Sequence, residues 1–175
     1  MFNLPNFITL IRLLLIPMVI INLLEGRLRL ALFFFVIAGL SDALDGFLAR
    51  ALHQKTLLGA VLDPIADKLL LNSVYLLGAY LDLLPEWLAV IVISRDVLIL
   101  IGFGLLLWHT RRLEVKPTLL SKFTTASQIL TVVATLWESP EKVLAFCFYF
   151  TAGITIISGL HYLWLGVKMF EGQKA

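Results

Sequence analysis

Apolar residues fill six long stretches of this chain, and short polar passages separate them. The stretches cover residues 7–24, 28–52, 57–81, 87–108, 119–137 and 142–169. A helix needs about 20 predominantly apolar residues to cross a bilayer core about 30 Å thick. The pattern therefore predicts six transmembrane helices in an all-α bundle, with residues 1–9 as an interfacial lead-in to the first helix.

The composition agrees with this interpretation. Hydrophobic residues make up 60% of the 175 residues, and the mean hydropathy is +0.95, whereas soluble domains are about 45–50% apolar. We therefore expect an integral membrane protein, with a single domain over residues 1–175. A net charge of +2 is too small to indicate nucleic-acid binding.

The basic residues predict the orientation of the helices, because cytoplasmic loops carry an excess of Lys and Arg. If the N-terminus is cytoplasmic, the opposite side holds only Arg27, Arg29 and Lys142. The cytoplasmic loops and tail then hold eight basic residues: Arg50, Lys55, Arg111, Arg112, Lys116, Lys122, Lys168 and Lys174. We expect both termini on the cytoplasmic side of a bacterial inner membrane or its equivalent.

Four carboxylates interrupt the apolar pattern: Asp42, Asp45, Asp63 and Asp67. Each costs roughly 2.5–3.5 kcal/mol at bilayer depth, so four unpaired carboxylates would add about 10 kcal/mol to the cost of insertion. An apolar residue returns only about 0.3–0.6 kcal/mol. The acids therefore require a compensating partner, and one or more divalent cations would serve.

Helical spacing places these acids, with several small residues, on two helix faces. The positions are Asp42, Asp45, Gly46 and Ala49 on the second helix, and Gly59, Asp63 and Asp67 on the third. A short loop joins the two helices, so we expect antiparallel neighbours whose acids converge at the cytoplasmic end. Oxygen ligands alone suit Mg²⁺ or Mn²⁺, and four carboxylates are enough for two ions that act in a displacement at phosphorus.

The small residues have two interpretations. Gly46, Ala49 and Gly59 would leave the acid-bearing faces open to a nucleotide, with Arg50 available to bind phosphate through both of its arms. Alternatively, glycine and alanine between membrane helices allow close helix packing. Close packing alone does not account for the four acids, whereas a metal and phosphate site accounts for both the acids and the small residues.

The full motif reads D-x-x-D-G-x-x-A-R, eight residues, then G-x-x-x-D-x-x-x-D, from Asp42 to Asp67. It resembles the signature of the CDP-alcohol phosphotransferase family at every position. The resemblance implies six membrane spans with a polar cavity open to the cytoplasm, and a homodimer. It also implies Mg²⁺ or Mn²⁺, with two ions held by Asp42, Asp45, Asp63 and Asp67.

The family chemistry implied by the resemblance transfers a phosphatidyl group from CDP-diacylglycerol to an alcohol and releases CMP. Asp67 would act as the general base for the acceptor hydroxyl. Asp45, Gly46, Ala49, Arg50 and Gly59 would bind the CDP-lipid. Near the N-terminus, Asn6, Thr9 and Arg12 resemble the start of phosphatidyl-transferring members and would contribute to the same site.

Other polar residues within the spans are candidates for acceptor binding, namely Arg95, Lys116, Lys122 and Thr125. Arg95 has a second interpretation, as an internal ion pair with Asp96. Lys122, Thr125 and Gln128 follow one another at intervals of three, so they lie roughly on one helix face that could receive an anionic head group.

The resemblance does not separate the acceptors. The segments around residues 5–12, 46–50 and 62–68 resemble members that use glycerol 3-phosphate and members that convert phosphatidylglycerol to cardiolipin. The segments 93–97 and 116–122 resemble the second type more closely. Transfer to glycerol 3-phosphate is the commoner role among short members, so it is the leading prediction and phosphatidylglycerol is the alternative.

Two further classes of function would also use acids within membrane spans. Intramembrane acids and Arg95 would also suit a small cation or proton transporter, but such a pathway predicts acids spread through the membrane depth, and these gather at one end. An intramembrane prenyltransferase also uses acid-bound Mg²⁺, but it would normally need a longer chain with more spans.

Overall fold

A computed structural model describes the backbone of residues 4–51, 57–110 and 118–171, and the side chains of residues 14–41, 68–102 and 118–165. Within these ranges the chain forms six α-helices and no strand. The helices are α1 (Leu4–Leu24), α2 (Leu28–Ala51), α3 (Leu57–Tyr80), α4 (Glu86–Thr110), α5 (Leu119–Leu136) and α6 (Glu141–Glu171).

The predicted helices are confirmed in number and order, and the all-α class with them. One boundary differs from the prediction, because α1 begins at Leu4, three residues before the predicted start at residue 7, and part of the lead-in is therefore helical. Pro5 lies in the first turn of α1, where the missing N–H of proline would have had no helical partner in any case. A proline at that position therefore starts a helix as readily as it precedes one.

Helix α1 ends in a Schellman motif. Gly26 has a φ of 70°, the left-handed conformation that glycine adopts without steric cost. The Arg27 N–H donates to the Asn22 carbonyl at 2.8 Å, and the Gly26 N–H donates to the Leu23 carbonyl at 3.0 Å. These bonds satisfy carbonyls that the helix end would otherwise leave without partners.

Helices α3 and α5 end in the same way, but without glycine. Asp82 and Glu138 take the left-handed position, with φ values of 57° and 58°. The Leu83 N–H donates to the Gly78 carbonyl at 2.8 Å, and the Ser139 N–H donates to the Ala134 carbonyl at 3.0 Å. Both residues therefore carry a backbone strain that glycine would avoid.

Replacing Asp82 by glycine should therefore stabilise the protein. Left-handed geometry costs a residue with a Cβ about 1–2 kcal/mol, and the greater freedom of glycine in the unfolded chain offsets part of the gain. We expect Asp82→Gly to raise the free energy of unfolding by about 0.5–1 kcal/mol. Reversible unfolding in mixed micelles measures this free energy. A lower value in the variant would show that the Asp82 side chain stabilises the protein by more than the strain of its backbone destabilises it.

The chain folds into two compact units. The first unit comprises Met1–Leu83 and Leu136–Glu138. In it α1 packs against α2 and α3, around buried apolar side chains that include Val19, Leu23 and Phe35. The Arg29 guanidinium lies 4.6 Å from the centre of the Trp137 ring and 3.8 Å from a Glu138 carboxylate oxygen, so the start of α2 contacts the two residues that follow α5 and belong to the same unit.

The second unit comprises Leu84–Thr135 and Ser139–Ala175, and its interior contains many polar side chains beside apolar ones. The buried polar side chains of α5 and α6 are Thr124, Ser127, Gln128, Thr131, Thr135, Thr151, Thr155 and Ser158. Large apolar side chains are exposed on the outside of the same helices, among them Phe123, Leu130 and Phe146. This arrangement is typical of helices that pack in lipid, where polar side chains join helices and apolar ones face outward.

Hydroxyl groups join α5 to α6 directly. The Oγ1 atoms of Thr131 and Thr151 are 2.8 Å apart, and the Thr151 hydroxyl also lies 3.2 Å from the Ser127 carbonyl. One turn away, the Gln128 amide donates to Thr155 Oγ1 at 3.3 Å. The two helices therefore share a row of polar contacts and not only apolar surface.

Thr131→Val should weaken this row while preserving the shape of the side chain. Interhelical hydrogen bonds in membranes contribute about 0.6 kcal/mol on average and up to about 1.7 kcal/mol. We expect Thr131→Val to lower the free energy of unfolding by about 0.6–1.7 kcal/mol, because Thr151 loses the Thr131 hydroxyl and keeps only the Ser127 carbonyl as a partner on α5. The matched control is Thr125→Val, on the same helix at a half-buried position, and equal losses in the two variants would contradict the assignment.

Two described helical segments are long and apolar enough to cross a membrane, Leu119–Leu136 and Glu141–Leu165. Leu14–Leu24 and Leu28–Ser41 are shorter apolar segments. By length and composition alone, the first two of these segments are candidates for membrane spans.

Candidate functional site

Both halves of the acidic motif lie in helices, as the spacing predicted. Asp42 to Arg50 belong to α2, and Gly59, Asp63 and Asp67 belong to α3. The two helices contact each other within the first unit, and only residues 52–56 separate them in sequence. The motif is therefore carried by two neighbouring helices, which is the arrangement that would bring its two halves together.

The side chains of the motif lie outside the described residues, so the convergence of the carboxylates stays a prediction. This applies to the four acids and also to Gly46, Ala49, Arg50, Gly59, Asn6, Thr9, Arg12 and Lys116. Among the side chains that the structure does describe, no group of three or more Asp, Glu, His or Cys residues could hold a metal.

Arg95 and Asp96 form a buried ion pair in α4, which confirms one of the two interpretations of Arg95. Arg95 Nη1 donates to Asp96 Oδ1 at 2.8 Å. The Arg95 side chain is 3% exposed and the Asp96 side chain is 0% exposed. Removing one member of such a pair leaves an uncompensated buried charge, which costs about 3–5 kcal/mol.

The second arm of Arg95 links α4 to both other helices of the unit. Arg95 Nη2 donates to Ser121 Oγ on α5 at 2.7 Å and to Ser158 Oγ on α6 at 3.1 Å. The guanidinium carbon lies 5.9 Å from the centre of the Tyr162 ring, within the range of a cation–π contact. The arginine is therefore oriented by α4, α5 and α6 together.

Tyr162 also contacts the start of α5, where Thr118 caps the helix. Thr118 Oγ1 accepts a hydrogen bond from the Ser121 N–H at 3.2 Å, as an N-cap residue does. The Tyr162 hydroxyl oxygen accepts from the Thr118 N–H and from the Thr118 hydroxyl, both at 3.4 Å. The cap of α5 is thus held by a side chain of α6.

The three residues predicted to share one face of α5 differ in accessibility. Lys122 is exposed and Thr125 is half-buried, whereas Gln128 is fully buried and bonded to Thr155. The prediction of an accessible face was therefore wrong for Gln128. Successive positions three residues apart turn by about 60° on a helix, so Gln128 has rotated into the interface with α6.

Ser158 and Tyr162 were not predicted as functional residues, although the sequence of α6 contains a signal for them. Polar residues recur along α6 at Thr151, Thr155, Ser158 and Tyr162. Their spacing of three or four residues defines one helix face. A polar stripe within an otherwise apolar helix indicates the face that packs against other helices, and the structure places it there.

The CDP-alcohol phosphatidyltransferase family model matches residues 2–164. The chain is 34% identical to the CMP-forming cardiolipin synthase of Rattus norvegicus over 98% of its length. It is 35% identical to the CDP-diacylglycerol–glycerol-3-phosphate 3-phosphatidyltransferase of Bacillus subtilis, over 93% of its length and 94% of the relative.

The chain covers only part of its mammalian relatives. It spans 65% of the rat protein and 64% of the cardiolipin synthase of Homo sapiens. The family model nevertheless includes α1 to α5 completely and most of α6, with the entire acidic motif. The chain therefore belongs to the CDP-alcohol phosphatidyltransferase family.

Proposed function

We propose that this chain transfers the phosphatidyl group of CDP-diacylglycerol to a glycerol-type alcohol and releases CMP in phospholipid biosynthesis. Glycerol 3-phosphate is the leading acceptor, which would give phosphatidylglycerophosphate. The observation that carries the proposal is the complete eight-position motif from Asp42 to Asp67, which lies on two contacting helices inside the region of the family match.

The proposed metal ligands are the four acids Asp42, Asp45, Asp63 and Asp67. Their chemistry fits Mg²⁺ or Mn²⁺, because both ions prefer carboxylate oxygens. Two such ions would neutralise the diphosphate of the lipid and stabilise the leaving CMP. The four acids lie in apolar sequence, where unpaired carboxylates would be costly. This cost also favours bound cations.

In the proposed reaction Asp67 accepts the proton of the acceptor hydroxyl. The hydroxyl oxygen attacks the phosphorus that bears the diacylglycerol, and a new P–O bond forms. The bond from that phosphorus to the bridging diphosphate oxygen breaks, and this oxygen leaves with CMP. A carboxylate of ordinary pKa is a weak base for an alcohol, so the environment of Asp67 must raise its pKa or the acceptor hydroxyl must be acidified.

Further residues would bind the two substrates. Gly46 and Ala49 leave room for the cytidine, and Arg50 supplies positive charge for the diphosphate. The remaining proposed contacts to the CDP-lipid are Asn6, Thr9, Arg12, Asp45 and Gly59. The proposed contacts to the acceptor are Arg95, Lys116, Lys122 and Thr125. In this structure Arg95 already donates hydrogen bonds to Asp96, Ser121 and Ser158.

The proposed architecture is a bundle of six transmembrane helices whose polar cavity opens to the cytoplasm, with both termini on that side. The six helices contain 21, 24, 24, 25, 18 and 31 residues, and about 20 are needed to span a bilayer. Trp87 and Trp137 are exposed at helix ends, and Trp164 is exposed next to the end of the apolar segment Glu141–Leu165, where aromatic belts lie. We also propose one domain over residues 1–175, because one family model includes residues of both units. A further proposal is that the protein forms a homodimer.

The acceptor can be identified by a transfer assay with labelled CDP-diacylglycerol and Mg²⁺. Glycerol 3-phosphate and phosphatidylglycerol are offered in parallel to the purified protein in lipid. We expect the label in phosphatidylglycerophosphate. Label in cardiolipin would replace the leading acceptor by phosphatidylglycerol, an alternative that the similarity to the rat and human cardiolipin synthases favours.

A negative result in both arms is also informative. Release of CMP without either product would support the proposed transfer reaction and show that the acceptor is a different alcohol. No CMP from a folded protein would contradict the proposed function. If the protein were a cation transporter, we would expect no release of CMP and a flux of cations across vesicle membranes.

A further inference from the structure

The start of α5 is held in place by a network that includes Thr118, Ser121 and Tyr162, to which the proposed reaction assigns no role. Thr118 caps the helix, the Tyr162 hydroxyl accepts two hydrogen bonds from Thr118, and Ser121 accepts one from Arg95. The network therefore fixes both the cap residue and the first turn. Its partners come from α4 and α6, so the position of this turn depends on three helices.

Two of the proposed acceptor-binding residues follow directly on this turn. Lys122 is exposed and comes immediately after Ser121. The Thr125 hydroxyl donates to the Ser121 carbonyl at 3.1 Å, so Thr125 is bonded to a residue that Arg95 holds. A displacement of the first turn would move both side chains, because a helix transmits it along its hydrogen-bonded backbone.

We propose that Tyr162 is a positioning residue for the acceptor, because its hydroxyl fixes the cap of α5 and thereby the placement of Lys122 and Thr125. The inference rests on the proposed function, in which these two residues bind the acceptor. Tyr162 does not itself touch the acceptor. The two bonds that its hydroxyl accepts are long, at 3.4 Å, so the expected effects are moderate.

Tyr162→Phe tests the inference, because it removes the hydroxyl and keeps the ring beside Arg95. The loss of such hydrogen bonds changes equilibria by about three- to tenfold. We expect KM for the acceptor to rise about three- to tenfold, while kcat and KM for CDP-diacylglycerol change less than about twofold. Steady-state transfer assays measure the three constants.

The matched control is Tyr149→Phe, on the same helix. Tyr149 is 72% exposed and stacks on Trp87, so the loss of its hydroxyl should leave all three constants unchanged. A purely structural role for Tyr162 would instead lower the amount of active enzyme, and with it the apparent kcat, at constant KM. That outcome would overturn the inference.

Hydrogen exchange reports the anchoring without any enzymatic activity. Peptides that cover residues 118–125 should exchange about three- to tenfold faster in Tyr162→Phe than in the wild type, and no faster in Tyr149→Phe. Unchanged exchange together with unchanged acceptor KM, in a wild type that transfers normally, would overturn the inference and leave the proposed function intact. No transfer by a folded wild type would instead contradict the proposed function.

A double-mutant cycle tests the route through Lys122. If Tyr162 acts by placing Lys122, then Tyr162→Phe should raise the acceptor KM less than about twofold in a Lys122→Gln background, because coupled residues are not additive. Multiplicative effects of the two substitutions would show that Tyr162 acts independently of Lys122 and would overturn this route.

Discussion

Asp67→Asn is expected to abolish phosphatidyl transfer, with a loss of at least about 10³-fold in rate. General acid–base catalysis contributes about 10²–10⁴-fold, and Asp67 is also a proposed metal ligand, so both roles are lost together. Asparagine has nearly the same shape as aspartate, but its amide does not accept the proton. CDP-diacylglycerol binding should stay partly intact, since three of the four acids remain. Transfer assays and a separate binding assay measure the two effects.

The control for this variant is Asp82→Asn, which makes the same substitution just beyond the end of α3. Asp82 is exposed, and asparagine tolerates its left-handed backbone as well as aspartate does. The control should keep the transfer rate of the wild type. Turnover of Asp67→Asn at the rate of the control would remove Asp67 as the general base.

Gly46→Val is expected to block binding of the CDP-lipid. The proposed site requires the backbone of α2 to approach the nucleotide closely at this position, and the valine side chain would fill that space. We expect the apparent affinity for CDP-diacylglycerol to fall by at least about 100-fold, which corresponds to roughly 2.8 kcal/mol. Equilibrium binding of the labelled lipid measures the change without reference to the acceptor.

Gly39→Val provides a matched control, because Gly39 lies on the same helix seven residues earlier. Apart from its own helical turn, a Cβ added at Gly39 meets no described heavy atom within 4 Å, so we expect the position to accept a larger side chain. The control should bind CDP-diacylglycerol like the wild type. Unchanged affinity in Gly46→Val would contradict the idea of a cytidine cleft, and equal losses in both variants would indicate a general effect of valine on α2.

The helices could be predicted from the sequence because their signal is local. Six apolar stretches and the turns between them gave boundaries close to those observed, and the first helix differed only because Pro5 is tolerated in a first turn. The chemistry of the motif could be proposed for the same reason. Asp42 to Asp67 lie within 26 consecutive positions, and helical spacing relates them to one another.

The polar interior of the second unit depends on the packing of distant segments. Arg95 contacts Ser121 and Ser158, which lie 26 and 63 positions further along the chain, and spacing within a helix cannot pair such residues. The same applies to Gln128, whose burial follows from the rotation of α5 against α6. Helical spacing places Gln128 about 120° around α5 from the exposed Lys122, but it does not show that this side of α5 faces α6.

The central claim is that this chain releases CMP from CDP-diacylglycerol in a reaction that requires a divalent cation. The most direct test measures CMP released by the purified wild type with an acceptor present, in Mg²⁺, after chelation by EDTA, and after Mg²⁺ is restored. We expect release that stops on chelation and returns with the metal, while Asp67→Asn stays inactive throughout. Release that continues undiminished in EDTA, or that Asp67→Asn supports at the rate of the wild type, would contradict the claim.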